Sequence, residues 1–412
     1  MAEQVEIAVV GAGVVGLAAA LRLAQDRREV VVIDPRDPGA GASYGNAGTI
    51  ADYAVLPVGT PEVLRNLPGL LFDANSPLAI RKAAIFSLIP WLARFLRQSL
   101  PGPAARNAHA IAALVADAAT RWGVMAQEIG GTALLQDRGA LYLYDTAAAF
   151  AAADRDMAFR RSLGVNVQLV EPAGLASLEP GLPPRFAGGA LFPGARFLTD
   201  PGQMVGLLAG AAQASGVRHL RWPVTGLSRE GGRVILSGPG QRVSARRVVI
   251  AAGAHSRPLA AMAGDRVPLD TERGYHVEYD MAVPRLNRPT CPTAQGFYLC
   301  PMAGRLRVAG TVELGGLDPR PSPHRIARLV AGAAAIFPDL PAPSRTWLGF
   351  RPSIPDSLPV IGPSRGGDDV LFAFGHGHIG LTLAPITAAI IADLVAGRAP
   401  PVSLAAVAAT RF

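Results

Sequence analysis

Residues 7–34 read IAVVGAGVVGLAAALRLAQDRREVVVID, and this stretch narrows the possible folds more than any other. A short β-branched run at 7–10 suits a buried parallel strand. Gly11, Gly13 and Gly16 follow at the spacing G-x-G-x-x-G. An alanine- and leucine-rich helix former comes next, then a second strand ending at Asp34. Each glycine has its own physical task. Gly11 permits a tight turn, Gly13 lets backbone approach a pyrophosphate, and Gly16 lets the helix pack close to the strand. The N–H groups and positive dipole end of that helix face the phosphates. Asp34 stands where a carboxylate binds ribose hydroxyls and would repel a 2′-phosphate. The pattern predicts a dinucleotide site and argues against NADP, but it does not separate NAD from FAD.

The chain has 412 residues, enough for two domains or one large interleaved unit. Apolar residues make up 50% and charged residues 17%, a globular balance. The formal charge is +8, but arginine is scattered, with only short pairs such as Arg160-Arg161 and Arg246-Arg247. That distribution argues against a nucleic-acid partner and leaves anionic lipid or an acidic substrate open. Two cysteines, Cys291 and Cys300, give neither a disulfide framework nor a zinc or thiol-redox spacing. The histidines form no metal-ligand cluster, and no G-x-S-x-G elbow points to a hydrolase. The opening MAEQVEI carries acids and runs straight into a strand, unlike a signal peptide, so the cytoplasm is expected. Residues 78–97 contain an uncharged stretch too short to span a bilayer, and Pro90 is expected to interrupt a helix there. Trp91, Phe95, Arg94 and Arg97 are the residue types of an interfacial segment, so peripheral contact with the inner face of the cell membrane is compatible with it.

A simple NAD enzyme would continue at once with further strand–helix units, and this chain does not. A turn-rich run follows Asp34, then helical sequence to about residue 130. A strand–turn–helix begins near Gly189, and a meander ends in a buried strand at 248–250 followed by AAGA, where Gly253 would let backbone sit near a cofactor. A second strand-rich block and an alanine-rich closing helix complete the chain.

With these segments in view, the chain resembles the D-amino acid oxidase/dehydrogenase family of flavoproteins along nearly its full length. The glycine loop, GASYGNAGTI at 41–50, VVIAAGAHS, GYHVEY, RVAGTVE, GFRPSIPDSLPVIG and GHGHIGLT carry the likeness. Within the family it looks most similar to bacterial membrane-associated D-amino acid dehydrogenases and D-hydroxyproline dehydrogenases. The resemblance implies an α/β fold of the glutathione-reductase type: an FAD-binding Rossmann-type domain interleaved with a smaller, antiparallel-sheet substrate domain of α+β character. The expected boundaries are 1–60, 150–264 and 340–412 for the FAD part. Residues 61–149 and 265–339 are expected to form the helical insertion and substrate part.

The implied cofactor is FAD. Gly11, Ala12, Gly13, Val14, Val15 and Gly16 would hold its pyrophosphate, with Asp34 and the adjoining Pro35 at the ribose. Ser43, Asn46, Ala47 and Gly48 would run beside the flavin, Val224 would face the adenine, and Ala252 and Gly253 would lie by the cofactor. Gly375, Gly377, Ile379, Gly380, Leu381 and Thr382 would cover the pyrimidine side of the ring. Neither histidine nor cysteine occupies the corresponding tethering positions, so the FAD is expected to be noncovalent.

The implied reaction is hydride removal from the α-carbon of a D-amino or imino acid, with electrons passed to a quinone or another acceptor. Arg351 would bind the substrate carboxylate as a planar fork. Tyr275 and His276 share a strand and face opposite sides, and Tyr275 is the expected hydroxyl donor to the carboxylate. Tyr53 is a similar candidate. His376 and His378 could orient the substrate or take a proton from its ammonium. Few carboxylates fall in the expected pocket segments, which disfavours a cationic substrate. The alternatives are an oxidase using oxygen on glycine, a sarcosine-like secondary amine or D-hydroxyproline, and an NAD-binding protein or a catalytically idle subunit of a hetero-oligomer. Lys82 is the sole lysine and is not placed like the oxygen-activating lysine of sarcosine-oxidase relatives, which favours a dehydrogenase.

Overall fold

The computed structural model describes residues 3–66, 69 and 78–412. The side chain of Lys82 lies outside the described residues, so its placement stays an expectation.

Two sheets organise the chain. The first has eight strands, and its parallel centre runs Arg218–Leu220, Val30–Ile33, Glu3–Val10, Gln241–Ile250 and Gly367–Phe374. Strict side-chain alternation explains why these segments pair there. Ile7, Val9, Val30, Val32 and Val249 face one apolar core, while Ala8, Val10, Val31, Ile33 and Val248 face the other. Strands buried on both faces are read as continuous apolar runs, as VVVI at 30–33 is. Helices Val14–Gln25, Pro201–Ala214 and Gly380–Ala396 cover the first face. The other face packs against Ser256–Ala263 and the antiparallel strands Arg233–Gly238 and Gly226–Glu230.

Among the described residues the second sheet has nine strands and is mostly antiparallel. Its order begins Arg345–Ser353, Asp270–Asp280, Arg305–Leu314 and Phe297–Met302. Helix Pro323–Ile336 packs on one face through Leu329, Ala333 and Ile336. The other face looks toward the turn-rich segment after Asp34. Strand pairing places Gln168–Val170, Gly188–Phe192 and Arg345–Ser353 in this sheet, although the expected boundaries at 150 and 340 group them with the nucleotide part. The reason is topological: short strands give no local sign of which sheet they will complete.

Pro90 does not break its helix. Ile85–Gln98 runs through it on the exposed side, where water can take the carbonyl that proline leaves without a donor. Among the described residues, no helix is long and apolar enough to cross a membrane.

Candidate active site

The glycine loop is a cradle that side chains would fill. Gly11 has φ +115°, and a Cβ there would stand 2.4 Å from the Ala251 carbonyl oxygen. A Cβ on Gly16 would stand 2.0 Å from the Gly11 oxygen. Strand, turn and helix therefore close on one another as tightly as backbone allows. Gly13 is the N-cap of helix Val14–Gln25 and supplies no side-chain cap. Ser43 reaches back instead, its Oγ accepting from the Val14 N–H at 3.0 Å. The Asp34 carboxylate accepts from Ala12 N and Arg36 N, both at 2.9 Å, and so sits at the mouth of the loop just before Pro35. Val15 continues the first helical turn.

The segment after Asp34 is braced from within. Asn46 Nδ2 donates to the Ser43 carbonyl at 2.6 Å, and its Oδ1 accepts from Gly48 N at 2.7 Å, spanning Ala47. Gly48 has φ +74° and packs against the Leu198 carbonyl. Gly253, after Ala252, and Gly377 each adopt positive φ, and an added Cβ at either would meet open space. Gly375, Gly377 and Ile379 lead into helix Gly380–Ala396, whose N-terminus has no side-chain cap. Trp122 Nε1 donates to the Leu381 carbonyl, and Thr382 Oγ1 accepts from Ala51 N at 3.0 Å. Half-buried Val224 packs on the same apolar core as Ala252. Glycine cradle, uncapped helix ends and ribose-side carboxylate together fit a flavin dinucleotide.

The second sheet turns one face to this segment. Along Asp270–Asp280, Glu272, Gly274, His276 and Glu278 share that face, with Arg351, Gly349, Trp347 and Arg345 opposite them on the neighbouring strand. His276 Nδ1 lies 3.0 Å from the Gly45 carbonyl, and its ring stacks on Trp347 with centroids 5.0 Å apart. Burial, then Arg307, pushes the His276 pKa down to about 4, so the ring is neutral. Arg307 donates to the Asn46 carbonyl at 2.6 Å and the Tyr44 carbonyl at 3.2 Å.

Arg351 lies flat over Gly274, where a Cβ would stand 2.5 Å from its Cζ. A register shift at Gly274/Tyr275 leaves Thr311 bulged at φ +55°, and its carbonyl accepts from Arg351 Nη1 at 3.4 Å. Among the described residues, no carboxylate forms an ion pair with Arg351. Its fork is therefore free for a ligand. His378 is brought to the same place. Gly377 N donates to the Pro352 carbonyl at 2.8 Å, tying the histidine loop to the residue beside Arg351. The His378 side chain is accessible, yet burial, followed by Glu272 and Arg351, governs its lowered pKa.

Three expected residues are not brought there. Tyr275 points to the opposite face, where it is buried and donates to Glu313 at 2.7 Å beside Arg273. The strand alternation that separates it from His276 was legible, but the face that meets the flavin segment is His276's. Tyr53 is fully buried, stacked on Phe192 at 4.2 Å, with its hydroxyl 3.3 Å from that of Tyr298. His376 is buried and bonded to Thr387 Oγ1 at 3.0 Å, and burial pushes its pKa down to about 3, so it braces the loop. Residues of this face that sequence reasoning missed are Glu272, Trp347 and Arg307. The period of two could have grouped Glu272 with His276, but no local pattern shows which partner strand lies beside them.

Residues 6–394 match the family described as FAD dependent oxidoreductase, DAO. A protein named D-amino-acid oxidase from Bradyrhizobium diazoefficiens is 34% identical over 424 residues, 100% of each chain. A D-amino acid dehydrogenase 2 from Ralstonia nicotianae is 30% identical, covering 98% of this chain and 100% of its own. The crystal structure of glycine oxidase from Geobacillus kaustophilus superposes with a TM-score of 0.78 at 26% identity, over 100% of this chain and 99% of its own. With the cradle, the sheet pair and full-length likeness in agreement, the chain belongs to the DAO family of FAD dependent oxidoreductases.

Proposed function

We propose that this protein oxidises a D-amino acid, or a cyclic imino acid, at its α-carbon and passes the electrons to a quinone or a related acceptor. The observation that carries the reading is the uncommitted Arg351 fork on the sheet face that looks toward residues 44–46. FAD, when bound, accepts the hydride lost from the α-carbon. In this reading Gly11 to Gly16 hold the pyrophosphate and Asp34 the ribose. Ser43 to Gly48, Gly253 and the 375–382 loop border the flavin. Arg351 receives the substrate carboxylate as a bidentate pair and so fixes the α-carbon in place. Neutral His378 stands beside it to orient the amine and take its proton, because hydride loss requires a neutral amine. The imine product hydrolyses to a keto acid and ammonia, or opens if it is cyclic. FAD is held noncovalently: both thiols are buried, and burial pushes each up to about 12.

The test is anaerobic titration of the yellow protein with D-amino acids, glycine, sarcosine and cyclic imino acids. One donor should bleach the flavin band, and acid precipitation should release the flavin to the supernatant. Colourless protein that FAD cannot reconstitute would sink the reading, and yellow protein that no donor bleaches would point to a missing partner subunit. Adding oxygen or a quinone analogue then separates the acceptors. The oxygen-using reading is supported by the names of the Bradyrhizobium relative and of the Geobacillus glycine oxidase.

A membrane-borne acceptor is supported by the outer face of Ile85–Gln98. Phe86 is 86% exposed and Ile89 53%, with Arg94 and Arg97 exposed on the same helix, while Leu88, Trp91 and Phe95 pack inward. The protein should co-sediment with anionic vesicles, and Phe86→Asp with Ile89→Asp should abolish this. Protein that stays in the supernatant with anionic vesicles would remove the membrane from the reading.

A further inference from the structure

We infer that Glu272 is a specificity-determining residue: its buried carboxylate, set across the strand pair from Arg351, makes the site accept a carboxylate only together with a cationic amine, which favours zwitterionic amino acids over their 2-keto acid products. The inference rests on the reading that Arg351 receives the substrate carboxylate.

Glu272 is 4% exposed and directly opposite Arg351 in strand register. Ser353 Oγ donates to its Oε1 at 2.7 Å and holds it in place. It makes no ion pair with Arg351, whose guanidinium lies one pair further along, over Gly274. The arginine therefore keeps its fork free while a fixed negative charge sits close by. Arg273 and Glu313, the next charges along the strand pair, are 2.9 Å from one another on the opposite face and neutralise each other. The charges that act on His378 are Glu272 and Arg351.

The consequence is a matter of charge balance. Arg351 and Glu272 sum to zero, and His378 is neutral. An amino acid enters as a zwitterion, so attraction and repulsion from Glu272 largely cancel across its ammonium and carboxylate. A plain carboxylate brings only the repelled charge. Oxidation converts the first kind of ligand into the second, because the keto acid has lost the amine. The same carboxylate that tolerates the substrate therefore helps expel the product.

Glu272→Gln removes the charge and keeps an acceptor for Ser353. The probes are propionate and pyruvate, titrated into the oxidised, FAD-loaded enzyme and read by the flavin difference spectrum, with D-alanine KM alongside. Both anions should bind about tenfold or more tighter in the variant. D-alanine KM should shift by a smaller factor than the anion affinities, so that the anion-to-D-alanine ratio moves toward the anions. Ser353→Ala, which keeps the charge, should leave the anion-to-D-alanine ratio within about threefold of wild type. Unchanged anion affinity, or equal shifts for anion and amino acid, overturns the inference. So does a Ser353→Ala ratio shifted as far as that of Glu272→Gln. If Glu272→Gln fails to load FAD, the wild-type ratio decides: propionate must bind about tenfold more weakly than D-alanine. Failure of the underlying reading is separately visible, because Arg351→Met would then leave propionate binding intact.

Discussion

Arg351→Met lowers kcat/KM for the bleaching substrate by roughly a hundred- to a thousandfold, while the yellow colour of the protein is retained. The size is the middle of the range expected for losing a hydrogen-bonded charge partner in a desolvated site, about 2–5 kcal/mol, with each 1.4 kcal/mol worth about tenfold. The retention of FAD follows from geometry. Arg351 rests on Gly274 and Thr311 and makes no bond to the glycine loop. Arg351→Lys should fall between the two, because an ammonium carries the charge without the bidentate fork. Both KM and the anaerobic rate of flavin reduction should suffer, since the arginine fixes the distance of the α-carbon as well as the affinity. A variant within about threefold of wild type in kcat/KM would mean that the carboxylate binds elsewhere.

The largest stability effect is expected at Glu278. Its side chain is 1% exposed and holds together Arg307, Arg305 and Arg345. Glu278→Gln leaves a fully buried Arg307 without its counter-charge, a change expected to cost about 3–5 kcal/mol. The damage should reach the cofactor, because the same Arg307 ties down the carbonyls of Tyr44 and Asn46. Thermal melts should drop and FAD should dissociate more readily from the variant. The pH dependence gives a second check. Burial alone would raise the Glu278 pKa, but Arg307, then Arg345 and Arg305, outweigh it and hold it at about 2, below its ordinary 4.5. A depressed carboxyl pKa stabilises the folded state above 4.5, and that contribution fades as pH falls toward 2. Wild type should lose melting temperature across that window, and Glu278→Gln should be flatter there. Parallel curves would show that the carboxylate contributes no such stability.

The first-sheet architecture was readable because its causes are local. A β-branched run, three spaced glycines and an acidic strand end specify turn, helix and pyrophosphate cradle within 28 consecutive residues of the sequence. The close approaches at Gly11 and Gly16 are those the spacing requires. Asp34 stands at the strand end that the spacing gave it and accepts from backbone of the same loop, whereas Ser43 and Asn46 entered only through the family resemblance.

The substrate side was readable only in part. Alternation along Asp270–Asp280 separates Tyr275 from His276, but alternation is symmetric and does not say which face is wet, apolar or turned to a cofactor. That choice was made by helix Pro323–Ile336, which covers the Tyr275 face and leaves the His276 face toward Gly45. Tyr53 follows the flavin segment in sequence, yet its ring was claimed by Phe192, more than a hundred residues away in the chain. What the sequence by itself determined is the nucleotide cradle, which short-range spacing and steric rules govern, and the family; Arg351 was singled out only through the family resemblance. What only the tertiary structure decided is the company that arginine keeps: the slot over Gly274, the carbonyl of bulged Thr311, the accessible His378 and the buried Glu272. With Arg351 itself these come from four separate segments, and long-range strand register, which no local pattern encodes, is the physical cause of their meeting.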